Sequence, residues 1–331
     1  MQMRDAIFVI LVATASLANI EAQGVHPPPV KPTDHAEVLF AAHAPDTEKA
    51  DSGKPALATF EPIAFMVGNE LRECYSNGSQ QEQEAVGKSV TSRLNRAYAA
   101  GSHYTLWSHG APYGRATAVS ACFDDEIDFN GCFRFEGRDP SIPVPLGFGG
   151  VALSGKVPSS THGSFFKTAS KEEQAKFLQF AVKALAEHSV HVSAEQVHLK
   201  EIDVTKLQAG HKAIAGNLLV QVPAKAPKTY HSYRLFLVIE ETNEAYATVL
   251  SSFHRTTVLL DDSEAPPKPG EELDEESRTD IETFFDSFPL FPGESDVVVT
   301  QHRYYEDWNF SVYRRVGAAY RAVFLGCGGG D

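Results

Sequence analysis

The stretch from Ser170 to His254 sets the tightest limits on what this chain can fold into. Ser170-Lys171-Glu172-Glu173 has the spacing of a capping box, in which the serine and the second glutamate satisfy each other's backbone N–H groups. Leu178, Ala181, Val182 and Leu185 follow at helical spacing, so one amphipathic helix is predicted. Four alternating stretches come next, Val197 to Thr205, Ile214 to Val222, Tyr230 to Glu240 and Ala245 to His254, joined by short turns. Joins that short leave no room for the crossover parallel strands require, so these strands must form an antiparallel meander. The helix covers one of its faces.

The rest of the chain divides by composition. Residues 23–55 are rich in Pro, Ala, Asp and Lys without periodicity and read as a flexible leader, and residues 56–140 as a domain of helix then strands. In that domain Val86, Val90, Leu94 and Ala97 mark a helix within Gln80 to Ala100, and strand-like pieces follow at Tyr104 to Ser108, Ala116 to Phe123 and Phe129 to Phe135. A Pro/Gly linker over 141–160 leads to the helix-and-meander domain, 161–262. Residues 263–282 hold eight acidic and two basic side chains and read as a solvated linker, and 283–331 as a strand-rich end segment. The expected class is therefore α+β: a helix packed on an antiparallel meander sheet in the second half, preceded by another helix-plus-strands region.

The amino end sets the compartment. An apolar run from Ala6 to Leu17, the small residues Ser16, Ala18 and Ala22, and then Pro27, Pro28 and Pro29 read as a cleavable signal peptide over residues 1–22. A membrane helix takes about 20 apolar residues, longer than this run. The mature protein is thus expected to be secreted or luminal, with no membrane span. In that compartment four cysteines suit two disulfides. Cys122 and Cys132 are the easiest pair, with Asn130-Gly131 as turn formers between them, and Cys74 and Cys327 remain, paired or free; buried free thiols are the other reading. Asn77 and Asn309 head glycosylation sequons. A net charge of −14 argues against nucleic acid, whose phosphates draw on surplus Lys and Arg.

Within the second half the residues resemble a known family. Phe180-Ala181-Val182 in the helix is similar to the Phe-Ala-Val that cystatins often carry there. Lys212-Ala213-Ile214-Ala215-Gly216 lies at the first hairpin, where cystatins have Gln-Val-Val-Ala-Gly, and Gly163 lies about where they keep an amino-terminal glycine. The resemblance covers roughly residues 161–255 and implies inhibition of papain-like cysteine peptidases by a wedge. Gly163 and the hairpin residues Lys212, Ala213, Ile214, Ala215 and Gly216 would enter the active-site cleft, with Ala213 and Ile214 as apolar anchors. The second loop, Glu240-Glu241-Thr242-Asn243-Glu244, carries carboxylates where the family often has Pro-Trp.

Other chemistry is weaker in the sequence. Gly150 to Lys156 follows most of a phosphate-binding loop, but Val157-Pro158 stands where Ser or Thr is needed. His188, His191 and His198 lack the spacing of a metal motif, so no metal or cofactor is predicted. Cys122 as a nucleophile is explained more cheaply by a disulfide, and Asp124, Asp125, Glu126 and Asp128 by a solvated turn. No catalytic residue set is predicted. The readings are a secreted inhibitor of papain-like peptidases, a secreted binding module with the fold only, or a secreted hydrolase of an unrecognised family.

Overall fold

The computed structural model describes residues 38–43, 58–67, 70–72, 79–121, 131–136, 150–154, 166–207, 210–243, 245–260, 281–291, 294–303 and 307–330. The first half contains β1 (Val38–His43), β2 (Ala58–Val67), β3 (Glu70–Arg72), α1 (Gln80–Ala97), β4 (His103–Ser108), β5 (Ala111–Ala121), β6 (Gly131–Glu136) and β7 (Gly150–Ser154). Then come β8 (Phe166–Thr168), α2 (Lys171–Glu187), β9 (His198–Lys206), β10 (Lys212–Pro223), β11 (Thr229–Thr242) and β12 (Ala245–Leu259). The end of the chain is β13 (Ile281–Phe288), β14 (Val297–Arg303), β15 (Asp307–Val316) and β16 (Ala319–Gly330).

Both helices start by the same device. Ser79 and Ser170 each accept a bond from the backbone three residues on, and Glu82 and Glu173 reach back to the serine N–H, so the exposed donors of the first turn are satisfied. In the first half, strands run in the order β1-β7-β4-β5-β6-β2-β3, and β1 also pairs with β2, so the sheet closes on itself. One side of this curled sheet holds Phe40, Phe60, Tyr104 and Leu106, and α1 adds Val90 and Leu94 to that core. The second sheet has the order β12-β11-β10-β9-β8, and α2 lays Phe177, Ala181 and Leu185 on one face of it.

The last four strands make a third sheet, β13-β14-β15-β16, and this one is buried on both sides. Successive side chains of a strand point to opposite faces. Accordingly Val297 and Val299 pack with Leu39, Ile63, Met66 and Trp107 of the curled sheet, while Val298 packs with Ala213, Ala215, Phe236 and Val238 of the five-stranded sheet. On β15, Phe310 and Val312 face the first partner and Tyr313 the second. The described residues from the curled sheet onward belong to one compact unit, Asp34–Asp331.

The expectation of an α+β fold built as a helix on a single meander is overturned. Among the described residues the chain is mostly strand, in three antiparallel sheets with two α-helices. The physical reason is the four-stranded sheet: apolar residues on both its faces recruit both flanking sheets into one stack of layers. Strand β13 also begins inside the segment 263–282 that composition assigns to a linker. Among the described residues no helix is long and apolar enough to cross a membrane.

Polar bridges also tie the layers. Trp308 Nε1 donates to the buried carboxylate of Glu61, joining the four-stranded and curled sheets. Arg315 on β15 donates two bonds, of 3.0 and 2.7 Å, to Glu240 on β11, whose side chain is 1% exposed. Each buried Val or Phe contributes roughly 1.5–3 kcal/mol, whereas desolvation offsets most of a buried ion pair's attraction. The apolar pattern therefore holds the layers together, and the pair becomes costly only when broken. Glu240→Ala should lower the unfolding free energy by about 3–5 kcal/mol in urea titrations, and Glu240→Leu with Arg315→Met should recover most of that loss.

Candidate functional site

Apart from Lys212, the hairpin residues carried by the cystatin resemblance are inside the protein. Ala213, Ile214 and Ala215 are all at most 1% exposed, because alternation already begins at Lys212: Ile214 faces α2, and Ala213 and Ala215 face the four-stranded sheet. The expected apolar anchors Ala213 and Ile214 are thus core residues of β10 and not loop tips. Lys212 is half-exposed, and its Nζ lies 2.7 Å from Glu173, the capping glutamate of α2. Gly216 has a structural reason to be glycine. The β9–β10 register steps from Ala215↔Asp203 to Asn217↔Lys200, so Gly216 faces a bulge at Glu201 and Ile202. A Cβ there would lie 3.1 Å from Ile202 Cα and 3.2 Å from Glu201 O. Gly163, Asn77, Cys74 and Cys122 lie outside the described residues. Cys132 is on β6 and Cys327 on β16, and Asn309 is half-buried on β15 between two neighbouring strands.

The turn end of the five-stranded sheet is partly covered by the rest of the chain. Phe166 of β8 pairs with Thr205, so the chain joins β8 at the end where the β9–β10 and β11–β12 turns lie. His109, in the β4–β5 turn, stacks on Phe166 with ring centroids 4.0 Å apart, and Ser287 Oγ donates to Lys206 O. Asp286 anchors that turn: its Oδ1 accepts from Gly110 N at 3.3 Å and from Ser287 N at 2.6 Å. Burial pushes the Asp286 carboxyl up to about 7, against the pull of the Ser287, Gly110 and His109 N–H groups, and burial holds His109 down to about 4. Leu207 is folded back into the core between sheets. Asn243 and Ala245 stay exposed at the second turn, with His211 and Thr242 half-exposed beside them.

A second constellation lies between the five-stranded and four-stranded sheets. Glu282 and His302 are direct cross-strand partners on β13 and β14, and β12 brings His254 to the same place. One ligand atom from each of the three lies within 4.8 Å of the others. Glu282 Oε1 accepts from Tyr313 OH at 2.6 Å and Thr300 Oγ1 at 2.7 Å, and lies 3.4 Å from His302 Nε2. Ser311 Oγ is 2.9 Å from that same nitrogen, and Ser252 Oγ is 3.2 Å from His254 Nε2. Burial pushes the Glu282 carboxyl up, but His302, Ser252 and Tyr313 outweigh it and hold the group down at about 2. Burial and the neighbouring carboxylate push the Tyr313 hydroxyl well above its ordinary value, so it stays a donor.

Serine, histidine and glutamate here do not make a nucleophile relay. In such a relay the serine and the carboxylate use different imidazole nitrogens, whereas Ser311 and Glu282 both address His302 Nε2. Ser311 is also fully buried, out of reach of a substrate. The arrangement is a donor set: two imidazoles and a carboxylate. Sequence reasoning missed it because the donors come from three strands and Glu282 sits in an acidic run read as solvated. The usable signal was the alternation around it: Glu282 and Phe284 face the five-stranded sheet with Thr300 and His302 opposite. The histidines weighed from sequence do not converge: His188 stacks on Phe253 at 4.1 Å, His191 is exposed, and His198 is half-buried at the start of β9. The phosphate-loop-like residues 150–154 are strand β7, paired on both sides.

No family model, no curated protein and no solved structure matches this chain.

The turn anchored by Asp286 gives a pH dependence. The folded carboxyl titrates near 7 and the unfolded one near 3.8. The native state therefore binds the extra proton between those values, and stability falls as pH rises from about 4 to 7, the penalty being complete above 7. Asp286→Asn should be more stable than the parent by about 1–3 kcal/mol at pH 8, with the gain vanishing toward pH 4, in denaturant melts across that range.

Proposed function

We propose that this chain is an exported binding protein that meets its partner with the turn end of the five-stranded sheet, and that the partner class is the papain-like cysteine peptidases implied by the cystatin resemblance. The observation that carries this reading is the pairing of Phe166 with Thr205. It places the start of β8 at the same end as the β9–β10 and β11–β12 turns. The buried hairpin residues change how such a contact would be made. Ala213, Ile214 and Ala215 stay in the core, and the meeting surface is Asn243, Ala245, His211 and Thr242. Glu241 beside them is held by the Tyr246 hydroxyl at 3.0 Å, a carboxylate costly to desolvate in a cleft. The contact is accordingly weaker than a wedge with an aromatic anchor. Export rests on the amino-terminal pattern of a charged residue, an apolar run and small residues.

Gly216→Arg does not test this contact, since it strikes the β9 backbone and unsettles the fold. The informative change is Asn243→Arg with Ala245→Arg, on the exposed turn. The mature chain should slow cleavage of a fluorogenic peptide by papain-like peptidases in a concentration-dependent way. The double variant should lose at least tenfold in potency and the exposed-helix change Glu172→Ala nothing, and absence of inhibition by the folded chain would remove the peptidase from the reading.

A further inference from the structure

We propose that His254, Glu282 and His302 bind one first-row divalent transition-metal ion, zinc foremost, between the five-stranded and four-stranded sheets. This goes beyond the partner-binding reading and does not depend on it. The donor atoms lie within 4.8 Å of one another, and the pair best fixed by the backbone, His302 Nε2 and Glu282 Oε1, is 3.4 Å apart. Zinc takes nitrogen and oxygen ligands at about 2.0–2.2 Å in a tetrahedron, which places neighbouring ligand atoms roughly 3.3–3.5 Å apart. The cross-strand pair already has that spacing, and only the His254 ring, on the partly exposed rim, must close in.

A second feature points to a cation independently of the spacing. The Glu282 side chain is 2% exposed, and while Oε1 is satisfied by Tyr313 and Thr300, Oε2 is buried without a hydrogen-bond partner. A buried carboxylate oxygen left unmatched is costly, and an ion held across both oxygens of Glu282 would satisfy it. The surrounding hydroxyls also fix the ligands in place, as outer-shell groups do at metal centres. Tyr313 and Thr300 orient the carboxylate. Ser311 Oγ lies 2.9 Å from His302 Nε2, so an ion on that nitrogen displaces this contact.

The chemistry of the set selects the ion. Two imidazoles and one carboxylate suit zinc and its neighbours, whereas calcium and magnesium require about six or more oxygen ligands. Three protein ligands leave a fourth position open. The ion would tie β12, an edge strand of the five-stranded sheet, to β13 and β14 of the inner sheet.

The test uses the full mature chain without an affinity tag, treated with chelator and titrated with zinc by calorimetry, with cobalt as an absorbing substitute. The expected result is one equivalent bound, reversed by chelator, with visible cobalt bands of a four- or five-coordinate site and no competition from excess magnesium or calcium. His254→Ala, on the partly exposed rim, should weaken zinc binding at least tenfold while its metal-free melting stays close to the parent's. Glu282→Gln should do the same if it folds, and His188→Ala with His191→Ala should bind like the parent. No zinc bound by the folded parent, parent-like binding by His254→Ala, or loss of binding in the His188/His191 variant would each overturn the proposal.

Discussion

Strands β13, β14 and β15 of the four-stranded sheet have apolar neighbours on both faces, and the rest of the molecule is arranged around that fact. Most sheets in antiparallel proteins solvate one side and hide the other. Here β13, β14 and β15 must satisfy two neighbours at once, so each residue is committed to one interface by its parity along the strand. A slip of one residue would send Val297 and Val299 toward the five-stranded sheet and Thr300 and His302 toward Trp107 and Met66. The polar groups caught between layers therefore work as register marks. Glu240 with Arg315, Glu61 with Trp308 and Glu282 with Tyr313 are pairs that the observed alignment makes.

Local elements were legible in the sequence and their assembly was not. The capping boxes at Ser79 and Ser170, the helical spacing behind them and the alternation of β9 to β12 depend on neighbours along the chain, which a sequence displays directly. The closing of the curled sheet depends on β1 meeting both β2 and β7, over a hundred residues apart in the second case, and no local pattern encodes that. The sandwiching of the last sheet was half visible. Val297-Val298-Val299 is an unbroken apolar run, the mark of a strand buried on both faces, yet with two flanking sheets to choose from it does not name its partners. Glu282 was misread for a related reason: composition averages over the acidic run and loses the one carboxylate whose strand parity turns it inward.

The word Lys212-Ala213-Ile214-Ala215-Gly216 carries a lesson about short resemblances. Each residue has a sufficient cause within this protein. Lys212 pairs with the glutamate that caps α2, the three apolar residues fill two cores, and Gly216 yields to the bulge of β9. Residues that a strand and its bulge require do not by themselves speak for contact with another molecule, and so the exposed turn beyond the word is the better place to look for one.

The two-sided burial also decides whether the five-stranded sheet could stand alone. A helix on a sheet is often a portable cassette, moved among proteins because its outer face tolerates any neighbour. The five-stranded sheet here is no cassette. Cut from its context at either end, it would present Ala213, Ala215, Phe236 and Val238 to solvent as a continuous apolar plane and leave the carboxylate of Glu240 stranded beside it. A five-stranded sheet made to stand alone would need a rewritten inner face on β10 and β11.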